Sequence, residues 1–206
     1  MNIEVKNTGN TVDYSKSMNI LEKRAADVLS GKKKELLWII EHNSVYTAGT
    51  SSKNEELLNK NVKVIKTNRG GKYTFHGPGQ KVIYFVLNLN KRGRNIKKLI
   101  NNIECCIKEI LREYKINSFA DKRNIGIWVG DDKNPKKIAA IGIKVKKWIA
   151  YHGFSLNINN KLSPYEKIVP CGLKDRNITN LKNIRNVNYN NLEKKIIKNF
   201  INYLKT

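Results

Sequence analysis

The chain has 206 residues, 40% of them hydrophobic, which is enough for the core of one globular domain spanning residues 1–206. No apolar run reaches the roughly 20 residues of a membrane helix and the N-terminus lacks the apolar segment of a secretory signal, so we expect a soluble cytoplasmic protein that has no contact with membrane. The net charge of +23 comes from lysines spread along the whole chain; this pattern fits solvated lysines or an acidic protein partner, and no nucleic-acid-binding motif accompanies it.

The first half of the chain predicts alternating strands and helices. Asp13 is a favourable N-cap for a helix that ends near Leu29, before Ser30-Gly31. Tyr46 and Thr47 border a predicted glycine turn. The other predicted elements are a short strand at 2–6, a buried strand at 35–41, a short helix at 52–58 and a strand at 62–66.

The twelve residues Arg69–Gln80 contain four glycines, a proline, an arginine and a histidine between two β-rich runs. A glycine pair and a Gly-Pro-Gly corner allow backbone to approach a ligand closely. The same composition fits a tight connection between two strands, so the segment by itself leaves both interpretations open.

The second half begins with the clearest helix, Asn95–Tyr114, whose apolar residues share one face. Cys105 and Cys106 lie inside this helix, where free cysteines are usually small buried hydrophobes. Strands are then predicted at 124–129, 137–145 and 148–158, and an amphipathic helix at 189–204 closes the chain. This order predicts an α+β fold.

Cys171 differs from the other two cysteines because it lies in a turn between Pro170 and Gly172. A cysteine nucleophile reacts as thiolate and needs a cation or oriented amides beside it. Such a residue can equally be a packed thiol.

The three histidines, His42, His76 and His152, are too far apart in sequence for a structural zinc site, and we expect no metal. Gly77-Pro-Gly79 is not followed by the Gly-Lys-Ser/Thr of a phosphate-binding loop. The sequence therefore predicts neither a metal nor a nucleotide.

Several segments together resemble the lipoyl(octanoyl) transferases, and the resemblance spans nearly the whole chain. They are, in order, Glu41-His42 with Val45–Gly49, Arg69–Gln80, Lys137–Gly142, His152–Asn157, Pro170–Gly172 and Ile178–Leu181. One departure is Asn43-Ser44, where relatives often carry prolines. The resemblance implies a mixed, largely antiparallel sheet flanked by helices, like the catalytic domains of lipoate and biotin protein ligases.

The resemblance also implies a reaction. Cys171 would take an octanoyl chain from the phosphopantetheine of octanoyl-acyl-carrier protein and pass it to a lysine of lipoyl domains of 2-oxoacid dehydrogenases or of glycine-cleavage H protein. Lys137 would lower the thiol pKa and shuttle protons, and no other cofactor is implied. The residues matching the family's acyl pocket are Arg69, Gly70, Gly71, Lys72, Tyr73, Thr74, Phe75, His76, Ala140, Ile141, Gly142, Gly153, Phe154 and Ser155.

Two alternatives remain open from the sequence. An ATP-dependent lipoate ligase shares the fold and also uses a lysine on a related strand, although the turn cysteine favours a transferase. A non-catalytic module that only binds an acidic carrier protein would have no need of a thiol in a glycine-proline turn.

Overall fold

A mixed sheet is the centre of the structure, a computed structural model that describes residues 2–131, 133–169 and 177–205. In these ranges the strands are β1 (Ile3–Val12), β2 (Glu35–His42), β3 (Val45–Ala48), β4 (Val64–Lys66), β5 (Tyr73–His76), β6 (Gln80–Asn88), β7 (Phe119–Ala120), β8 (Ile127–Val129), β9 (Lys136–Lys146), β10 (Ile149–Asn157) and β11 (Asn177–Ile178). The helices are α1 (Tyr14–Leu29), α2 (Ile96–Glu113), α3 (Leu181–Ile184) and α4 (Leu192–Lys205).

The main sheet has the strand order β1-β2-β6-β10-β9-β8-β7, with β11 also paired to β9. The pairs β1–β2 and β9–β11 are parallel, and the other described pairs of this sheet are antiparallel. The predicted α+β class with a mixed, largely antiparallel sheet is therefore confirmed.

Helices cover both faces of the sheet because the central strands are apolar on both sides. Helices α2 and α4 pack on one face against residues such as Leu37 and Phe85. Helix α1 packs on the other face against Trp38 and Val86. Neighbouring residues of one strand thus enter different cores, as the two-residue period of a strand requires.

Helix α1 has the predicted ends. The Asp13 side chain accepts a hydrogen bond of 2.9 Å from the Lys16 amide, which caps the N-terminus. The helix ends at Leu29, and Gly31 follows with a positive φ of 74°. Strand β1 before it extends to Val12, well beyond the predicted 2–6.

A second described sheet has the order β4-β3-β5. Tyr46 and Thr47, predicted to border a glycine turn, belong to strand β3, and part of the glycine-rich segment is strand β5, which pairs antiparallel with β3. The predicted helix at 52–58 is reduced to a 3₁₀ turn, Asn54–Glu56. Strands β3 and β5 have only four residues each, too few to show a two-residue period in the sequence.

Cys105 and Cys106 lie inside helix α2, as predicted. Cys106 is fully buried, and burial raises the pKa of its thiol to about 12, so it stays protonated. Cys105 is half-buried. Within the described ranges, no helix combines the length and the apolar character needed to cross a membrane.

Candidate active site

A cavity of about 600 Å³ lies beside the glycine-rich segment and strands β6, β9 and β10 of the main sheet. Thirteen of the fourteen predicted binding residues line it, together with Lys137. Phe75 is the exception. Residues that the sequence did not single out also line the cavity; among them are Tyr14, Val82, Tyr84, Ile100, Arg123 and Ile125.

Arg69 holds the glycine-rich segment in place. Its Nη2 donates hydrogen bonds to the carbonyl and hydroxyl oxygens of Thr47, at 3.2 and 2.8 Å, and to the Lys72 carbonyl at 2.9 Å. Its Nη1 donates to the Gly70 carbonyl at 3.0 Å. Arg69 is buried, so these charge-assisted bonds tie the cavity wall to strand β3.

Glycines bring this wall onto strand β9. The Gly70 amide donates to the Ile143 carbonyl at 3.0 Å. A Cβ at Gly142 would lie 3.0 Å from the Gly70 carbonyl oxygen and 3.3 Å from Arg69 Cδ. A side chain at position 142 would therefore push the wall away from the sheet, which explains why glycine occupies this position.

Phe75 and His76 point to different places, as neighbouring residues of a strand do. The Phe75 ring packs against Tyr46 and Tyr165, with centroids at 5.0 and 5.9 Å, in a separate apolar cluster. The His76 ring lies against the cavity and stacks on Tyr14 at 6.0 Å. The structure thus separates Phe75 from the other predicted binding residues.

Histidine and tyrosine rings form one end of the cavity wall. His42 contacts His76 with ring centroids 5.7 Å apart, and its Nε2 lies 2.8 Å from the Tyr84 hydroxyl. Burial, with Arg69 nearby, lowers the pKa of His76 and of His152 to about 3. Both imidazoles are therefore neutral at pH 7.

The described hydrogen-bond partners of His76 and His152 are amide side chains. No group of three or more His, Cys, Asp or Glu side chains in the described part of the chain could hold a metal ion. Instead, the His76 Nδ1 pairs with Gln80 Oε1 at 2.6 Å, and the His152 Nε2 with Asn68 Oδ1 at 2.8 Å.

Lys137 lies on β9 at another part of the cavity and is only 3% exposed. Its Nζ donates to the Ile125 carbonyl at 3.0 Å and lies 4.6 Å from the centroid of the Trp128 ring. Lys137 makes both contacts while it lines the cavity. A buried lysine in this setting can exchange a proton with a bound substrate.

Cys171 lies in the segment 170–176, outside the described residues, and its prediction as nucleophile stays a prediction. The chain before that segment is fixed by the Val169 amide, which donates to the Glu56 carbonyl at 2.7 Å. The chain after it pairs with β9, Ile178 lying opposite Lys137. The predicted lysine is thus the β9 partner of the strand that follows the cysteine.

Comparison with known proteins shows the family of this chain. Residues 13–201 match the lipoyl protein ligase A/B catalytic domain. The chain belongs to this family. An octanoyltransferase of Ehrlichia chaffeensis is 44% identical over 190 residues, covering 91% of this chain and 89% of that protein. An octanoyltransferase of Anaplasma marginale is 41% identical over 184 residues, covering 88% and 86%.

Solved structures of lipoate and biotin protein ligases share the fold of this chain. A lipoate-protein ligase A bound with ATP has a TM-score of 0.69 at 15% identity and covers 99% of this chain and 85% of that one. The bipartite lipoate protein ligase of Thermoplasma acidophilum has a TM-score of 0.68 at 14% identity and covers 100% and 84%. A biotin protein ligase of Aquifex aeolicus scores 0.51 at 22% identity and covers 77% and 68%. The predicted likeness to lipoate and biotin ligases is confirmed.

The family and its named relatives identify an enzyme of the acyltransferase class. This removes the non-catalytic binding module as an interpretation. Tyr14 and Tyr84 escaped sequence analysis because each occupies an ordinary apolar position, one at the start of an amphipathic helix and the other in a buried strand.

Proposed function

We propose that this family member transfers an octanoyl group from octanoyl-acyl-carrier protein, through a thioester on Cys171, to a lysine of a lipoyl domain. This is the first step of endogenous protein lipoylation. The observation that carries the proposal is a buried lysine, Lys137, opening into a cavity with glycine and apolar walls. The octanoyltransferase names of the most similar relatives support the acyl group.

The cavity has the size and chemistry that an acyl chain needs. Its volume of about 600 Å³ lies in the usual range for small-ligand pockets. Gly70, Gly142 and Gly153 present backbone to the cavity, and Ile141 and Phe154 add apolar surface. Such walls favour an alkyl chain by burying its surface from water.

The first half-reaction moves the octanoyl group onto the enzyme. The Cys171 thiolate attacks the thioester carbonyl, and the new carbon–sulfur bond forms as the bond to phosphopantetheine breaks. The departing sulfur takes a proton from the Lys137 ammonium. The products are an octanoyl thioester on Cys171, a free phosphopantetheine thiol and a neutral Lys137 amine.

The second half-reaction delivers the group to the acceptor. The neutral ε-amine of the target lysine attacks the Cys171 thioester and gives up one proton to Lys137. The carbon–sulfur bond breaks, and the cysteine leaves as thiolate. Both catalytic groups return to their starting protonation states, and neither ATP nor any other cofactor is consumed because the donor thioester is already activated.

The acceptor class is supported by a relative of the same fold. The Thermoplasma acidophilum ligase is described together with its E2 lipoyl domain. By extension we propose lipoyl domains of 2-oxoacid dehydrogenases and glycine-cleavage H protein as acceptors. A nucleophilic thiol must remain reduced, so we place the reaction in the cytoplasm.

The proposal is tested by incubating the protein with octanoyl-acyl-carrier protein and an apo-lipoyl domain in the absence of ATP. We expect the lipoyl domain to gain one octanoyl group on its target lysine, as measured by intact mass and peptide mapping. Modification that requires ATP and a free acid would replace the proposal with the ligase alternative. No modification under either condition, by folded protein, would contradict both.

A further inference from the structure

The Lys137 ammonium contacts a short loop, residues 121–126. Asp121 organises this loop, since its carboxylate oxygens accept from the Arg123 amide and the Asn124 side chain, each at 2.8 Å. The next carbonyl group along the chain, that of Ile125, accepts from Lys137 Nζ at 3.0 Å. The position of the ammonium therefore depends on the position of this loop.

Trp128 contacts both the ammonium and the loop. Its ring centroid lies 4.6 Å from Lys137 Nζ, within the range of a cation–π interaction. Its indole N–H donates to the Asn124 carbonyl at 3.0 Å. Trp128 is only 1% exposed, so its ring has little freedom to move. The Trp128 side chain thus contacts Lys137 directly. It also holds the Asn124 peptide, which is next to the Ile125 carbonyl that accepts from Lys137.

Gly126, in the same loop, lies close to the Lys137 side chain. Its φ of +135° is accessible to glycine and rarely to other residues. A Cβ at this position would lie 3.2 Å from Lys137 Nζ and 2.7 Å from the Ala139 carbonyl oxygen. The loop can therefore pack directly on the lysine only because residue 126 has no side chain.

We propose that Trp128 is a positioning residue for acyl transfer: it sets the location of the Lys137 ammonium in the cavity through its ring and through the loop that its N–H fixes. The inference rests on the proposed function, in which Lys137 exchanges protons with the reacting groups. Trp128 itself acts through the lysine and the loop. Displacing a reacting group by about 1 Å can cost roughly a hundredfold in rate, so loss of this support should reduce turnover.

The chain contains a closely matched control, Trp38. This residue is also 1% exposed, donates its indole N–H to Thr8 Oγ1 at 3.0 Å, and has Lys6 Nζ 4.8 Å from its ring centroid. It lies in the α1-side core and does not line the cavity. Trp38→Phe and Trp128→Phe therefore remove the same indole group from the same kind of contact.

The experiment measures single-turnover formation of the acyl-enzyme by intact mass, with octanoyl-acyl-carrier protein as donor. We expect Trp128→Phe to lower the acylation rate constant about tenfold to a hundredfold, with the donor concentration at half-saturation changed less than about twofold. Trp38→Phe should acylate at the wild-type rate. Urea midpoints of the two variants should fall by similar amounts, which separates positioning from general destabilisation.

If Trp128→Phe fails to fold, a glycine pair gives the same test. Gly126→Ala should slow acylation, whereas Gly130→Ala, also at a positive φ (+94°) and with a Cβ that would lie 3.0 Å from the Asn134 carbonyl oxygen, should not. Equal acylation rates within either folded pair would overturn the proposal. A wild-type protein that forms no acyl-enzyme would instead overturn the proposed function, so the two failures are distinguishable.

Discussion

At the scale of single residues, Lys137 carries the most specific prediction. An ammonium on this side chain can protonate the departing thiol and then accept a proton from the attacking amine. Lys137→Ala should lower kcat by about a hundredfold to ten-thousandfold, the usual effect of removing a general acid–base group. Lys137→Arg should restore little activity, because arginine does not release a proton near neutral pH.

The adjacent residue provides the control for this prediction. Lys136 belongs to the same strand but is exposed and does not line the cavity. Lys136→Ala should therefore retain wild-type kcat, measured as octanoyl transfer to the lipoyl domain. Full activity in both Lys137 variants would remove this lysine from the mechanism.

At the scale of elements, the buried imidazole rings make contacts that link α1, β2, β5, β6 and β10. Their burial should make the free energy of unfolding depend on pH. His76 and His152 have folded pKa values of about 3, below the ordinary 6.5. The unfolded chain then binds more protons below pH 6.5, so stability is fully present above that pH and declines as pH falls toward 3. Each histidine should lower the free energy of unfolding at pH 5.5 by roughly 1 kcal/mol.

Urea denaturation between pH 7.5 and 5 measures this effect. The wild-type free energy of unfolding should decrease across the range, and His152→Gln should reduce the slope because one titrating group is removed. The reference is the slope of the wild-type protein in the same buffers. A His152→Gln slope equal to that of wild type would show that this imidazole is not held neutral.

The elements also show where sequence patterns suffice. The amphipathic period of α2 and the Asp13 cap of α1 were predicted correctly, because each depends only on residues that are close together in sequence. The extension of β1 was missed, since most of its residues are exposed at the sheet edge and carry no apolar alternation. Strand β5 was concealed by its glycine-rich surroundings, and only pairing with β3 defines it.

The same contrast holds for the site. Part of the cavity lining could be predicted through family motifs, and the structure places thirteen of the fourteen predicted binding residues and Lys137 around one space. Tertiary packing supplies the rest. Trp128 and Tyr84 reach the lysine and the cavity from other strands, and no local pattern marks such a contact.

At the scale of the whole molecule, the net charge of +23 predicts a salt-dependent encounter with an acidic donor. Arg123 and Ile125 line the cavity, and both are exposed to solvent. A carrier protein that delivers its acyl group to the cavity would meet these two residues. We expect kcat/KM for octanoyl-acyl-carrier protein to fall as salt rises from about 0.05 to 0.5 M, because the Debye length shortens from above to below about 10 Å.

A small thioester, octanoyl-pantetheine, controls for salt effects on the chemistry itself. It lacks the carrier's charge, so its kcat/KM should change little over the same salt range. If the carrier reaction were equally insensitive, the lysines would reflect composition alone and make no contribution to donor binding.

Cys171 is the proposed carrier of the acyl group, and intact-mass spectrometry measures this acylation. Wild-type protein incubated with octanoyl-acyl-carrier protein, in the absence of acceptor, should gain one octanoyl group that hydroxylamine removes. Cys171→Ala should gain none, while Cys106→Ala, which removes a buried thiol of α2, should still be acylated. Folded wild-type protein without an adduct, or an adduct that persists in Cys171→Ala, would rule out Cys171 as the acyl carrier.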